Sequence, residues 1–421
     1  MIGLLDETEG EFGRLIGLNL SLLRMCGVIR RGEKSRGIER NVLAGVAVGC
    51  LSVYTISYVY EFVIRGAYSS TALESFAMMM SIVGGEARFL ILLSFRGRCQ
   101  RMLNVCELLW SPLTSEGKRA VRSYARKAKL LTRWYLSSCS FTILFYAVAV
   151  VIAAGSASDK NAAAGLPEGN GTAAASAAAS AAAGLLSPAE QQRRLPYAFP
   201  VEIRESPCYE IACVLQLLAM AEVAVTCAAV DTSGPLFALI ACGHFRAIRL
   251  RIEGLAGSDE QRSENDREKI LPLALSLSLS LSLSLLDSFC EQLERLSSLI
   301  FLIQLITSTY NISLVGFKLA GDDPDKYKYV TQLTIAVIQL FLCNWPADIL
   351  ATKSEAIGRA IYFSPWHRYP SRLRGPTSMV LARTRRPVRL TAGKFVVLSL
   401  ETFASMISSA ASFFTVVRSM N

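Results

Sequence analysis

The chain holds only two histidines, His244 and His367, in 421 residues, and they fall in different predicted connections. Metal sites and nucleophilic triads depend heavily on imidazole. The motifs that assemble such chemistry are also missing: there is no HExxH, no paired CxxC, no P-loop and no GxSxG elbow. Residue types and spacing thus offer no catalytic constellation, no metal ligand set and no cofactor motif, and the sequence does not read as an enzyme. The eleven cysteines are scattered, most of them inside apolar runs (Cys50, Cys139, Cys213, Cys227 and Cys343), where small buried packing residues are expected rather than a disulfide framework. His367, in Ser364-Pro365-Trp366-His367, suits a membrane interface beside its tryptophan.

What remains is chemistry by position. A charge inside an apolar run costs a few kcal/mol at mid-membrane and marks a functional or compensated group. Glu86 and Arg88 follow Gly84-Gly85 in the second such run, either as interfacial or mutually compensating charges or as part of a site. Glu222 in the fourth run either lines a polar cavity, marks a helix end or hydrogen-bonds a neighbouring helix. The last run carries Thr402, Ser405, Ser409, Ser412, Val416 and Ser419 at spacings of three and four, a heptad seam in which every member but Val416 bears a hydroxyl. Two readings stay open. Small hydroxyl residues let helices approach closely and hydrogen-bond across the contact; alternatively the same stripe lines a water-filled path in which Val416 is an apolar constriction that gates by dewetting. One helix cannot enclose a pore, so the second reading needs several subunits around an axis.

These positions need elements to hold them. Apolar residues make up 52% of the chain and charged residues 19%, against roughly 25% charged in an average soluble domain. The charges vacate blocks of about 20 residues, the length that spans a bilayer's hydrocarbon core. A soluble globular enzyme, a disordered chain and a collagen-like fibre are excluded, and an all-α integral membrane protein is expected. Seven spans emerge: Asn41 to Phe62, Thr71 to Phe95, Trp134 to Ala154, Tyr209 to Val230, Leu296 to Leu319, Tyr329 to Ala347, and Phe395 to Val417. An open sheet is ruled out because its edges cannot be satisfied in lipid. The net charge of +10 is divided among connections rather than gathered in one patch, which argues against nucleic acid. About 33 of the 44 Lys and Arg precede span 1 or lie between spans 2 and 3, 4 and 5, and 6 and 7, the arrangement of cytoplasmic segments. The N-terminus is therefore expected inside and the C-terminus outside, the reverse of a G-protein-coupled receptor. The resulting organisation is a cytoplasmic N-terminal segment (1–40), spans 1 to 3 (41–154), an extracellular loop (155–208), spans 4 and 5 with a long cytoplasmic loop (209–319), and spans 6 and 7 (329–421), the last being the candidate pore helix.

Two tracts are low-complexity. Ala173 to Ala183 lies in the third loop and reads as a flexible or partly helical extracellular insertion; just before it, Asn170-Gly171-Thr172 is a glycosylation sequon on the expected outer side. The sequons at Asn19 and Asn311 fall inside and within span 5, and are expected to stay unmodified. Leu275 to Leu285 alternates Leu and Ser. Period two suggests a strand, but a strand has no partner in a helical membrane protein, and a CT dinucleotide repeat read in frame, or a misplaced exon boundary, accounts for the alternation better.

Several stretches resemble the insect odorant receptor family, in places its ant, bee and wasp branch. Cys343-Asn344-Trp345-Pro346-Ala347-Asp348, Ser354-Glu355, Ala360-Ile361-Tyr362 and Trp366 resemble the family's end of span 6 and the linker beyond. Arg385-Arg386-Pro387, Leu390-Thr391-Ala392-Gly393-Lys394-Phe395, Leu398-Ser399-Leu400-Glu401-Thr402-Phe403 and Ser412-Phe413-Phe414-Thr415 resemble its C-terminal signature. Leu195-Pro196-Tyr197, with Ser206-Pro207 and Tyr209, matches its approach to span 4. The family has Tyr where Phe413 stands, and a histidine-bearing helix where the Leu-Ser repeat stands.

The resemblance implies seven spans with a cytoplasmic N-terminus, in agreement with the distribution of Lys and Arg. It also implies an odorant-gated cation channel in the plasma membrane of olfactory sensory neuron dendrites, formed with the shared coreceptor as a heterotetramer. Span 7 then lines the pore, with Val416 and Met420 at the hydrophobic gate, Ser419 beside it, and Ser412 and Ser409 further along the seam. The family places a volatile ligand in the outer halves of spans 2, 3, 4 and 6, which here hold Phe76 and Met80, Phe145 and Tyr146, Gln216 and Met220, and Tyr329; such pockets are largely apolar with few polar groups. A G-protein-coupled receptor is disfavoured by orientation and by the lack of DRY after span 3 or NPxxY in span 7. A transporter is disfavoured by the lack of internal repeats. A gustatory-type chemoreceptor shares the topology but not the Leu390 to Phe395 and Ser399 to Phe403 stretches.

Overall fold

The computed structural model describes residues 11–30, 37–63, 72–163, 208–258, 271–320, 326–363, 378 and 381–420. In chain order the elements are α1 (Glu11–Leu15), α2 (Gly17–Met25), α3 (Gly37–Glu61), α4 (Ala72–Ser94), α5 (Arg96–Trp110), α6 (Ser115–Ala163), α7 (Cys208–Ser258), α8 (Leu271–Ala320), α9 (Lys326–Phe363), β1 (Thr391–Ala392), β2 (Val396–Val397) and α10 (Leu400–Met420). Each of the seven expected spans overlaps a helix, in order α3, α4, α6, α7, α8, α9 and α10. Among the described residues, four of these, α3, α7, α8 and α9, contain a stretch long and apolar enough to cross a membrane by length and composition. The chain is an all-α membrane protein.

Several helices outrun their spans. α7 has 51 residues, α8 has 50 and α6 has 49, whereas about 20 suffice to cross. Much of the expected loop between spans 4 and 5 is thus helical, as residues 231–258 and 271–295. These extensions form a second packed layer below the spans with α5 and the N-terminal helices. Its core includes Cys99, Met102, Cys106, Phe237, Phe289 and Leu293, and Phe237 meets Phe289 edge-on at 6.1 Å. The Leu-Ser repeat is the first part of α8. Leucines two apart on a helix point about 200° from each other, so Leu283 is buried while Leu281 is exposed. Period two gives neither a strand nor an amphipathic stripe here; helix formation prevails because the sequence around the repeat, from Leu286 to Leu296, has a buried helical face.

Span 7 starts later than expected. Phe395, its expected first residue, lies at the tip of an antiparallel hairpin in which Thr391 pairs Val397 and Ala392 pairs Val396. Gly393 and Lys394 both take positive φ, the combination that tight hairpin turns require. Helix α10 begins only at Leu400, where the Ser399 hydroxyl accepts the Thr402 N–H at 3.1 Å, an N-cap bond that satisfies an orphan donor. Helix packing also fixes the two inner sequons. Asn19 is buried and donates to Thr132 and Thr232 at 2.7 and 3.3 Å, tying α2 to α6 and α7. Asn311 donates to Ser81 at 2.7 Å.

One cysteine offers a test of orientation. Cys208, at the start of α7, is exposed, whereas Cys26 and Cys99 are buried; burial pushes the thiols of Cys26 and Cys99 up to about 12, so both stay protonated and unreactive at neutral pH. With the C-terminus outside, a membrane-impermeant maleimide applied to intact cells labels the wild-type chain and not Cys208→Ser. Labelling that requires permeabilised cells reverses the orientation.

Candidate ligand pocket and gate

The polar centre of the bundle was only half legible in the sequence. Arg88 on α4 is buried and does not compensate Glu86, because residues two apart on a helix do not face each other. Glu86 turns to α3 and accepts from Ser52 at 2.7 Å and Thr55 at 2.6 Å. The Arg88 guanidinium instead pairs with Asp231 on α7, the two side chains only 4% and 3% exposed, and its Nε donates to the Gly84 carbonyl at 3.1 Å. The Tyr135 hydroxyl on α6 donates to Asp231 Oδ2 at 2.8 Å. Gln339 on α9 donates to the same oxygen at 2.9 Å and lies 2.8 Å from the Tyr135 hydroxyl. Side chains from three helices, α4, α6 and α9, thus converge on a single buried carboxylate carried by a fourth, α7.

Asp231, Tyr135 and Gln339 were missed. Asp231 sits one residue beyond the expected end of span 4, Tyr135 lies just inside span 3, and neither spacing nor hydropathy ties them to Arg88. The usable signal was Arg88 itself: a buried cation demands an anion, and Asp231 is one of the acidic residues at the end of an apolar run. Glu222, the acidic candidate within span 4, is half-buried and accepts a hydrogen bond from Thr226 on its own helix at 3.4 Å. His244 is buried in α7, and no cluster of metal-ligating side chains occurs among the described residues.

The expected pocket residues lie on the same four helices, on the side of this cluster away from the second packed layer. Met80 is eight residues from Arg88, Met220 eleven from Asp231, and Phe145 and Tyr329 each ten from Tyr135 and Gln339, about 12 to 16 Å along each helix at 1.5 Å per residue. Gln216 is one turn further out than Met220. Gln216 and Tyr329 are buried, while Met80, Phe145 and Met220 are half-buried. Phe76 packs on Phe62 at 5.2 Å and edge-on to Tyr310 of α8 at 5.6 Å, so its ring is engaged with α8 and not shown against the other candidates. Of Tyr146, Ser419 and Met420 only the helical backbone is described, and Asn170 and His367 lie outside the described residues.

Helix α10 separates its two faces. Phe403, Met406, Ile407 and Ala410 pack on the core, with Phe403 edge-on to Phe341 at 5.8 Å. Ser405, Ser409 and Ser412 of the hydroxyl seam are exposed, and Val416 is 57% exposed. The seam turns away from the subunit's own helices, so within one chain it is not a packing face.

Residues 69–411 match the sequence profile described as 7tm Odorant receptor. The chain belongs to the odorant receptor family. Odorant receptor 13a of Drosophila melanogaster is 27% identical over 249 residues, 55% of this chain but only 58% of that protein's length. Odorant receptor 82a of the same species is 22% identical over 381 residues, 87% and 90% of the two chains. The olfactory receptor OR5 from Machilis hrabei, solved alone and in complex with eugenol, superposes with TM-scores of 0.73 and 0.75 at 14% identity over 97% of this chain. At that identity the likeness is one of fold, and it covers nearly the whole of this odorant receptor. The family is one of receptors and channels rather than enzymes.

Removing one partner of a buried ion pair leaves the other uncompensated, at a cost of about 3 to 5 kcal/mol. Asp231→Ala and Arg88→Ala in this odorant receptor are therefore expected to lose most surface protein and to lower the melting temperature. Tyr135→Phe, which removes the hydroxyl's bonds to Asp231 and Gln339, costs less, about 2 kcal/mol. Thermal melts of purified protein alongside surface biotinylation check the order.

Proposed function

We propose that this chain is the ligand-tuned subunit of an odorant-gated cation channel, opening in the plasma membrane together with the family's shared coreceptor. The observation that carries the reading is the exposed hydroxyl seam of α10. The Ser412 hydroxyl donates to the Ser408 carbonyl at 2.9 Å and the Thr415 hydroxyl to the Ser412 carbonyl at 2.7 Å. With the protons spent inside the helix, the oxygens present lone pairs outward. Several such helices around an axis make an electronegative lining suited to cations. Val416 on the same face supplies an apolar ring that dewets when the helices are close and conducts when they part.

The ligand in this reading is a small volatile compound held by Met80, Phe145, Tyr146, Gln216, Met220 and Tyr329, with Phe76 at the outer edge. An apolar site with one amide and one or two phenols discriminates by shape more than by polar contact. Ligand opens the channel by binding the open arrangement more tightly than the closed one.

Coexpression with the coreceptor and a panel of odorants is expected to give an evoked cation current absent from either subunit alone. Val416→Ala is expected to raise current in the absence of odorant by widening and wetting the constriction. Unchanged basal and evoked currents in that variant show that the seam is a contact face rather than a pore lining. Silence across a broad panel, with both subunits at the surface, counts against the receptor reading itself.

A further inference from the structure

Beside the Arg88 cluster the bundle encloses a cavity of about 10 Å³, lined among others by Asp231, Ser233, Gly234, Ser297, Gln304 and Cys343, room for a single water. Its polar surroundings are short of donors. The hydroxyls of Ser233 and Ser297 give their protons to the carbonyls of Val230 and Leu293 at 2.8 and 2.7 Å. Gln304, only 2% exposed, donates through Nε2 to Ser308 at 2.6 Å, and its Oε1 is buried without a hydrogen-bond partner. Pro235 lies inside α7 and has no N–H, so the Asp231 carbonyl cannot receive the usual helical bond. Backbone groups freed by proline within a membrane are re-satisfied by side chains or ordered water. A water brings two O–H donors to this collection of acceptors. A metal cation suits acceptors too, but Arg88 already balances Asp231, and a second cation would stand beside the guanidinium.

The far side of the same stretch of α8 carries the gate's mount. The Ser298 carbonyl accepts the Gly393 N–H at 2.9 Å, and the Glu294 carboxylate accepts the Thr391 N–H at 2.9 Å and also its hydroxyl. The hairpin held there leads directly into α10. A Cβ at Gly393 would lie 2.6 Å from Leu302 of α8, so the hairpin backbone sits flush on that helix.

We propose that a buried water in this cavity joins Asp231 to Gln304, and that this bridge couples the four helices meeting at Asp231 to the hairpin that carries α10. The coupling rests on the channel reading above; the water does not. A ligand that shifts α4, α6, α7 or α9 moves Asp231, the water passes the displacement to α8, and α8 moves the hairpin.

Gln304→Leu removes the orphan acceptor and fills the cavity with a side chain of similar size. Surface protein and melting temperature are expected to hold or rise, and odorant still to stabilise the purified protein, while evoked current falls about tenfold. A fall in current matched by an equal fall in surface protein marks a structural role and overturns the coupling. Tyr135→Phe disturbs the other side of the bridge, so the double variant is expected to raise the half-maximal odorant concentration no more than the stronger single variant; multiplication of the two effects overturns the coupling. A density map that resolves ordered water should show a peak in the wild-type cavity and none in Gln304→Leu, and an empty wild-type cavity overturns the water. A melting temperature raised by sodium chloride over choline chloride, and no longer so in Gln304→Leu, replaces the water by a cation. A wild-type chain that reaches the surface with the coreceptor yet stays silent refutes the channel reading and with it the coupling, leaving the density to decide the water.

Discussion

The ion pair between Arg88 and Asp231 is the constraint around which the bundle is arranged. A guanidinium and a carboxylate taken out of water lose several kcal/mol of hydration each, and their attraction recovers this only when geometry is good and the remaining donors and acceptors are met. Every neighbour of the pair answers that demand. Gly84 offers a carbonyl to the guanidinium, and Tyr135 and Gln339 both donate to the carboxylate. These side chains come from α4, α6, α7 and α9, so satisfying one buried charge fixes the relative positions of the four helices that hold the expected pocket.

Close approach serves the same end. A Cβ on Gly84 would lie 2.5 Å from Thr307, so only glycine lets α4 lie this near α8 with Arg88 turned inward. Pro235, one turn beyond Asp231 in α7, leaves the Asp231 carbonyl without its usual helical donor, and Asp231 and Gln304 line one cavity. The polar demand that begins with Arg88 therefore extends through Asp231 to α8, and α8 in turn carries the hairpin. The layer beneath the spans has an apolar core that includes Met102, Phe237, Phe289 and Leu293, which gives this polar path a rigid support.

The helical architecture was legible because hydrophobic run length is a local signal that lipid makes nearly obligatory. Boundaries were less so. Span 7 was read from Phe395 because Phe395, Val396 and Val397 are apolar, yet two positive φ values at Gly393 and Lys394 turn them into a hairpin and Ser399 starts the helix. The extents of α7 and α8 were underestimated because, once outside lipid, a helix buries its face against other protein and carries charges on the rest. The site was legible as single residues and illegible as a constellation: Arg88 was visible as an anomaly, but its partner lies 143 positions away, and no periodicity encodes a contact between helices. The seam of α10 was visible in full, and its choice between packing and exposure waited on which face meets Phe341 and Thr309.

A division of labour follows from where the hydrogen-bond donors are spent. In the Arg88 cluster, the bonds to Asp231 run between helices, so relative motion breaks them in a medium that offers few replacements, and the four helices move together. On α10 the hydroxyls of Ser412 and Thr415 bond to carbonyls of their own helix. Rotation or splaying of that helix leaves these two hydroxyl bonds intact, and its exposed face is equally satisfied against a neighbour or against water. A tightly tied set of helices, joined through one hairpin to a helix whose Ser412 and Thr415 hydroxyls are satisfied within the helix itself, is a construction in which a small displacement at the first is expressed as a change of surroundings at the second.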